Sequence, residues 1–226
     1  MFFKKRNTIS EEEKNILKQI LYFYETTKDK INYDYNSMSN RNAKIKEIYE
    51  ILGYNNPPII EEQTNELKTV YRGISAPDKD TLKEYINQFI CGDNFLGGRA
   101  SIYGTGIYTF TNKNENTESY ANDGGLSENV IVLEINVPND EKIISYENLS
   151  KIQQSLLPRL NKLIDNSKFI ELLDNCGALG AILNYDAIYV NEKDYLVILN
   201  RSKINLNKNY VNNILASSEN IHSSVR

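Results

Sequence analysis

The stretch Val130-Ile-Val-Leu-Glu-Ile-Asn-Val137 decides the fold class of this chain. It is rich in β-branched residues and alternates apolar with polar side chains near its end, which is typical of a β-strand. Further short strands are predicted at 67–73, 104–111, 187–190 and 194–199. Irregular loops separate the strands and there is no regular βαβ alternation. The pattern therefore indicates an α+β fold with a mostly antiparallel or split sheet, and argues against a Rossmann fold.

Helical patterns flank these strands. Ser10-Glu-Glu-Glu13 fits a capping box at the start of an amphipathic helix over about 10–30, and a second helix is predicted near 40–52. Residues 150–183 are mostly helical, and Pro158 is expected to interrupt or kink them.

The same patterns predict three parts of the chain. Residues 1–60 form a helical N-terminal region, 61–205 the main domain, and 206–226 a polar C-terminal tail rich in Asn and Ser. Asp186, at a predicted join between helix and strand, is expected to act as a turn or cap residue.

Composition narrows the class of protein. The 226 residues are 40% hydrophobic and 25% charged, enough to build a sizeable core, and the net charge of −4 disfavours a broadly basic nucleic-acid binder. No apolar run is long enough to span a bilayer, and Glu11-Glu-Glu13 stands where a signal peptide needs apolar residues. We therefore expect no membrane span, no signal peptide and a cytoplasmic location in the cell that makes the protein.

The scarcity of histidine and cysteine restricts the chemistry. The one histidine, His222, lies in the polar tail, which argues against Ser-His-Asp, Cys-His and HExxH sites. Cys91 and Cys176 cannot form a cysteine-rich zinc site, and we expect two reduced thiols rather than a disulfide. No metal is implied, so catalysis has to use carboxylate, arginine, tyrosine, serine, lysine or a cosubstrate.

Three segments place reactive side chains on separate predicted strands: Val70-Tyr-Arg-Gly73, Gly104-Thr-Gly-Ile-Tyr108 and Asp194-Tyr-Leu-Val-Ile-Leu-Asn200. Arg72 offers five fixed donors for a phosphate or ribose, and the glycine after it lets a ligand approach the backbone. The two glycines before Tyr108 allow a turn to run tight against a ring, on which the tyrosine can stack. The carboxylate before the third strand can stabilise an oxocarbenium-like ribose. This layout is that of a site that holds NAD and breaks its nicotinamide–ribose bond.

Roughly residues 66–204 resemble the ADP-ribosyltransferase superfamily. Tyr71-Arg-Gly73 is similar to the first motif of its arginine-type toxins. Tyr103-Gly-Thr-Gly-Ile-Tyr-Thr-Phe110, followed by Glu118-Ser-Tyr-Ala121, resembles the nicotinamide-binding strand and helix of the diphtheria-toxin and poly(ADP-ribose) polymerase branch. Tyr185-Asp-Ala-Ile188 and the last of the three segments resemble the third motif, whose strand begins with the catalytic acid.

The resemblance implies a split, mostly antiparallel β-sandwich around an NAD cleft, with the helical N-terminal region beside it. It also implies a mono-ADP-ribosyltransferase, which takes NAD as cosubstrate, releases nicotinamide and transfers ADP-ribose to a macromolecular acceptor, a protein rather than a nucleic acid. The biology that the family suggests is a bacterial effector or toxin, or a phage protein, delivered into a host cell by a specialised secretion route.

The resemblance also assigns roles to individual residues. Asp194, Arg72 and Tyr108 are the catalytic group, and Tyr108 and Tyr120 sandwich the nicotinamide ring. The residues assigned to NAD binding are Tyr71, Arg72, Gly73, Ser101, Gly104, Gly106, Tyr108 and Tyr120.

The chain departs from the family pattern in its acid. Asp194 stands where the family usually has glutamate, which is one methylene longer, so the strand has to lie nearer the ribose. Glu192-Lys-Asp194 also resembles the family's Glu-x-Glu pair, and Glu192 is open to three interpretations: activation of the acceptor, a solvated turn residue, or the catalytic acid itself. Ala100-Ser101-Ile102 is a weak substitute for the family's Ser-Thr-Ser motif. The alternatives that stay open are an NAD glycohydrolase, a cyclising or other non-transfer enzyme, a catalytically inactive binding module of the same fold, and a small α+β interaction protein whose motif matches arise by chance.

Overall fold

A computed structural model describes residues 9–62, 67–91, 102–113, 129–139 and 141–217 of the chain. Ser101, Tyr120 and the rest of the Glu118-Ser-Tyr-Ala121 motif lie outside the described residues.

The described residues contain seven helices. In chain order they are α1 (Glu11–Thr27), α2 (Met38–Ile51), α3 (Lys79–Cys91), α4 (Tyr146–Leu160), α5 (Ser167–Leu172), α6 (Cys176–Ile182) and α7 (Lys208–Ser217). Two single turns of 3₁₀-helix, Asn191–Lys193 and Arg201–Lys203, lie in the loops near the end of the chain. None of the helices in the described residues is long and apolar enough to cross a bilayer.

Eight strands in the described residues form one open sheet. They are β1 (Ile59–Glu61), β2 (Leu67–Ala76), β3 (Ile107–Phe110), β4 (Asn129–Pro138), β5 (Ile143–Ser145), β6 (Ala187–Val190), β7 (Tyr195–Ile198) and β8 (Asn205–Asn207). Their order across the sheet is β1-β8-β4-β2-β3-β7-β6-β5. The outermost pairs, β1 with β8 and β5 with β6, are parallel, and the pairs between them are antiparallel. The predicted α+β class is therefore confirmed, and the sheet is mixed.

Two junctions of the sheet, β2 with β3 and β4 with β8, rest on one paired position each in the described residues. β2 and β4 pair over ten consecutive positions. In the described residues, β2 and β3 share a single paired position, Tyr71 opposite Phe110. This pair joins two halves, β1-β8-β4-β2 and β3-β7-β6-β5, into one sheet, whereas the sequence predicted a split β-sandwich.

One hydrophobic cluster joins the N-terminal helices to the rest of the protein. α1 begins with the predicted capping box: Ser10 Oγ accepts from the Glu13 N–H (3.1 Å), and the Glu13 carboxylate accepts from the Ser10 N–H (3.0 Å). Leu17, Ile20 and Phe23 then enter the core, where α1 packs against α4 and α6. Burial of this apolar face, more than helix propensity, stabilises α1.

The helical segment predicted at 150–183 breaks in a different place from the one expected. α4 continues through Pro158 and ends at Leu160. A proline in a helix removes one N–H donor and crowds the preceding turn. Leu156 and Leu160, on either side of it, are buried, so their packing holds the last turn in place.

Strand pairing crosses both predicted domain boundaries. β1 spans the first boundary and pairs with β8, which spans the second. α7 follows within the predicted tail, where Val211 is buried and the Tyr210 hydroxyl donates to the Val132 carbonyl on β4 (2.9 Å). The sequence did not predict β8 or α7, because residues 206–226 are mostly polar and few apolar side chains attach these two elements to the core. The boundaries themselves remain a prediction.

Candidate functional site

Three adjacent strands carry the three predicted segments. Arg72 lies in the middle of β2, Tyr108 lies on β3, and Asp194 directly precedes β7. The register places Phe110, at the end of β3, opposite Tyr195, the first residue of β7. Segments that are far apart in the chain therefore meet side by side at the centre of the sheet.

Arg72 is half-buried and contacts both α3 and β3. Its guanidinium carbon lies 5.8 Å from the centre of the Phe89 ring on α3. Its Nη1 donates to the backbone carbonyl of Tyr108 (3.4 Å), a long hydrogen bond. Groups on two neighbouring elements therefore orient the arginine.

The alternation of side chains along strands places the Tyr108 ring and the Arg72 guanidinium on opposite faces of the sheet. Since Tyr71 lies opposite Phe110, Tyr71 and Gly73 share the face of the Tyr108 ring. The structure thus brings Arg72 to the backbone of Tyr108 and not to its ring. Stacking of nicotinamide on Tyr108 stays a prediction.

The Tyr108 side chain is held by its own neighbours. Its ring centroid lies 6.0 Å from that of Tyr195, in an edge-on arrangement. Its hydroxyl donates to the Gly104 carbonyl (3.0 Å) and accepts from the Tyr103 N–H (3.2 Å). These contacts fold the segment that precedes β3 around the tyrosine.

Asp194 occupies a left-handed backbone position at the turn into β7. Its φ of 53° and ψ of 32° are uncommon for a residue with a side chain, and aspartate tolerates them better than most. Its carbonyl accepts from the Thr111 N–H (3.0 Å), and its exposed carboxylate accepts from the Tyr189 hydroxyl (3.4 Å). Glu192 lies in the preceding 3₁₀ turn and is exposed as well. Both candidate acids therefore reach solvent.

Gly104 and Gly106 allow close packing within the protein. A Cβ on Gly104, whose φ is 105°, would lie 2.2 Å from the Gly177 nitrogen, and one on Gly106 would lie 2.8 Å from the Ile198 carbonyl oxygen. A Cβ on Gly177 would lie 2.2 Å from the Thr105 carbonyl oxygen. The segment before β3 therefore runs directly against the start of α6 and against β7. The sequence predicted that these glycines run tight against a ligand ring, and the structure shows protein partners for them.

Asn175 and Tyr49 hold the same segment. Asn175 Oδ1 accepts from the Ala178 and Thr105 N–H groups (3.1 and 3.0 Å), and its Nδ2 donates to Thr105 Oγ1 (2.8 Å). The buried Tyr49 hydroxyl on α2 donates to the Thr105 carbonyl (2.5 Å). Burial raises the pKa of Tyr49 well above its ordinary value, so the hydroxyl keeps its proton and remains a donor. The N-terminal helical region thus contacts the segment that leads to Tyr108.

Asp186 has a larger structural role than the predicted turn or cap. Its buried carboxylate accepts from the Lys142 N–H (3.1 Å) and from the Asn200 side-chain amide (2.7 Å). Its carbonyl accepts from the Leu199 and Asn200 N–H groups (2.8 and 3.0 Å). These bonds join the residues that flank β5, β6 and β7. Asp186 therefore belongs to the framework of the sheet.

Sequence reasoning missed Arg201 and the role of Phe89. Arg201 is fully buried, its side chain donates to the Phe89 carbonyl, and its guanidinium carbon lies 5.9 Å from the Phe89 ring centre. An arginine after an apolar strand is usually exposed. No pattern in the chain therefore distinguished Arg201 from a surface residue.

Cys176 is expected to resist alkylation in the folded protein. Both cysteines are free, Cys91 exposed and Cys176 buried. Burial, with a smaller contribution from Asp174, raises the pKa of the Cys176 thiol to about 11. Because the thiolate is the reactive form, this shift lowers the reactive fraction at pH 8 by about two orders of magnitude relative to an ordinary thiol.

Iodoacetamide labelling followed by peptide mass spectrometry measures this difference. Cys91 should be modified first in the native protein, and unfolding in urea should bring the two rates together. Rapid native labelling of Cys176 would contradict the prediction.

Two predicted site residues, Ser101 and Tyr120, lie outside the described residues. Within the described part of the chain, no group of three or more His, Cys, Asp or Glu side chains is arranged to hold a metal ion. A comparison with known proteins finds no family model, no curated protein and no solved structure that matches the chain.

Proposed function

We propose that the chain is a mono-ADP-ribosyltransferase that takes NAD as cosubstrate and transfers ADP-ribose to a protein. The observation that carries the proposal is the meeting of Arg72, the Tyr108 backbone and Asp194 on three neighbouring strands. Cleavage of the nicotinamide bond needs a cation for the phosphates and an anion for the ribose. The resemblance suggests the reaction, and the adjacency of these groups supports it.

Arg72 and Asp194 are separated by the width of β3. Neighbouring strands lie about 4.8 Å apart, so the backbones of β2 and β7 are about 10 Å from each other. The Tyr189 hydroxyl that contacts Asp194 lies on the same face of the sheet as Arg72, because directly paired residues share a face. Tyr189 lies opposite Leu196, and Leu196 lies opposite Thr109. The pairing of Tyr71 with Phe110 in turn places Thr109 opposite Arg72. One end of an extended dinucleotide, with phosphate at the arginine and ribose at the carboxylate, suits this separation.

The proposed reaction uses each group once. Arg72 binds the pyrophosphate through its fork of donors. The bond between ribose and nicotinamide breaks, and nicotinamide leaves as a neutral base with the bonding electron pair. The Asp194 carboxylate stabilises the oxocarbenium-like ribose. A nucleophile of the acceptor then forms a bond to the same ribose carbon and loses its proton to a base, for which Glu192 is the candidate.

A cleft between the two halves of the sheet is part of the proposal. The single paired position between β2 and β3 in the described residues supports it, because strands joined by so few hydrogen bonds are free to diverge. The exposure of Asp194 and the half-burial of Arg72 also support access for a ligand.

Labelled NAD tests the proposal. The purified protein is incubated with NAD labelled in its adenylate part, with and without a eukaryotic or bacterial lysate, beside Arg72→Ala and Asp194→Asn. Label on a discrete lysate protein, lost in both variants, supports a transferase. Nicotinamide release without protein label indicates a glycohydrolase, and NAD binding without release indicates a binding module. A folded protein that neither binds nor cleaves NAD contradicts the proposal.

Arg72→Lys is expected to raise the KM for NAD by about tenfold with a smaller change in kcat, because lysine lacks the planar fork that pairs with phosphate. Initial-rate kinetics of nicotinamide release measure both constants. Arg159→Lys, on α4 and outside the three strands, is the matched control and should leave both unchanged. Equal effects of the two substitutions would argue against a phosphate contact at Arg72.

A further inference from the structure

We propose that Phe89 is a positioning residue that orients the Arg72 guanidinium for NAD, an inference that rests on the proposed function. Phe89 lies in the last turn of α3 and is 4% exposed. The Arg72 guanidinium carbon lies 5.8 Å from the ring centre, within the distance of about 6 Å at which a ring face attracts a cation. Phe89 acts through Arg72 and needs no contact with the ligand.

Arg201 holds the same ring from within the protein. Its guanidinium carbon lies 5.9 Å from the Phe89 ring centre, and its side chain donates to the Phe89 carbonyl. Carbonyls in the last turn of a helix lack helical N–H partners and carry partial negative charge, which favours a cation there. The Arg201 backbone N–H donates to the Tyr54 carbonyl (2.8 Å). The position of the ring is thus set independently of NAD.

The two arginines therefore have different roles. Arg201 is fully buried and cannot reach a ligand, whereas Arg72 is half-buried. The Arg72 guanidinium lies 5.8 Å from the Phe89 ring centre while its Nη1 donates to the Tyr108 carbonyl (3.4 Å), so the two contacts together restrict the side chain. An arginine side chain that is already oriented loses less conformational entropy when a phosphate binds. Phe89 should therefore lower the KM for NAD.

Stepwise fluorination of Phe89 tests the inference, because it weakens the negative face of the ring with little change in shape. Monofluoro- and trifluorophenylalanine are introduced at position 89 of the full chain by nonsense suppression. We expect the KM for NAD to rise with each step, by about fivefold for the trifluoro ring, with a smaller change in kcat. The calorimetric Kd for NAD should rise in parallel.

The same fluorinated residues, introduced at position 89 of an Arg72→Gln variant, distinguish a positioning role of Phe89 from a purely structural one. Glutamine carries no charge, so the trend in KM and Kd should disappear there. The melting temperature should fall with fluorination in both backgrounds, because the Arg201 contact is weakened in each. The same rise in KM in both backgrounds, or no rise with Arg72 present, overturns the inference and leaves the proposed function intact. A wild-type protein that neither binds nor cleaves NAD overturns both.

Discussion

Replacing Asp194 with asparagine is expected to slow nicotinamide release from NAD by about 100-fold or more, because the developing positive charge on the ribose loses its carboxylate. The free energy of unfolding should hardly change. Asp194 has a φ of 53°, and asparagine adopts the left-handed conformation as readily as aspartate. Alanine at this position would add a backbone cost of about 1–2 kcal/mol and confuse the two effects. Single-turnover nicotinamide release and urea unfolding measure them separately.

Glu192→Gln is the matched control. Glu192 is exposed in the same turn, and its replacement removes the same charge. If Asp194 is the acid, Glu192→Gln keeps nicotinamide release and lowers only the transfer to an acceptor. Activity that survives in Asp194→Asn and is lost in Glu192→Gln would assign the acid to Glu192. Full activity in both variants would remove a carboxylate of this turn from the mechanism.

Gly177→Ala is expected to lower the free energy of unfolding by about 3 kcal/mol or more, whatever the function of the protein. The added Cβ would lie 2.2 Å from the Thr105 carbonyl oxygen, 2.6 Å from the Thr105 nitrogen and 2.8 Å from the Tyr49 hydroxyl. Two of these atoms belong to the backbone, so a rotamer change cannot relieve the overlap. α6 and the segment before β3 would have to separate, which exposes buried contacts.

Thermal and urea unfolding measure this loss, and a fall in melting temperature of about 10 °C is expected for a chain of this length. Gly53→Ala is the control. Gly53, unlike the helical Gly177, has a positive φ of 73°, and its Cβ would meet nothing nearer than the Asn56 side chain at 3.7 Å. Its cost should be limited to about 1–2 kcal/mol of backbone strain. A loss in Gly177→Ala no larger than that in Gly53→Ala would show that the close packing at Gly177 relaxes at little cost.

Short-range patterns predicted the elements well wherever one face is buried. The capping box at Ser10 and the strand quoted at 130–137 both occur, the latter as β4 with one more residue at each end. The strands predicted at 187–190 and 194–199 also occur, as β6 and as β7, which is one residue shorter at each end. These features depend on residues within one or two turns of each other, so their signal is complete in the local sequence.

The sequence by itself determined most of the strands and helices, although not β1, β8 or α7, and it predicted which residues are candidates for binding and cleaving NAD. Only the tertiary structure decided that β2, β3 and β7 are neighbours, that the Arg72 guanidinium and the Tyr108 ring lie on opposite faces, and that Gly104 packs against Gly177. The physical reason is the range of the interactions. Periodicity is set by adjacent residues, but a shift of one residue in strand register turns every side chain to the other face. Strand register depends on pairing between distant segments, and the burial of Arg201 and Asp186 also depends on distant segments. No local sequence pattern therefore predicts either.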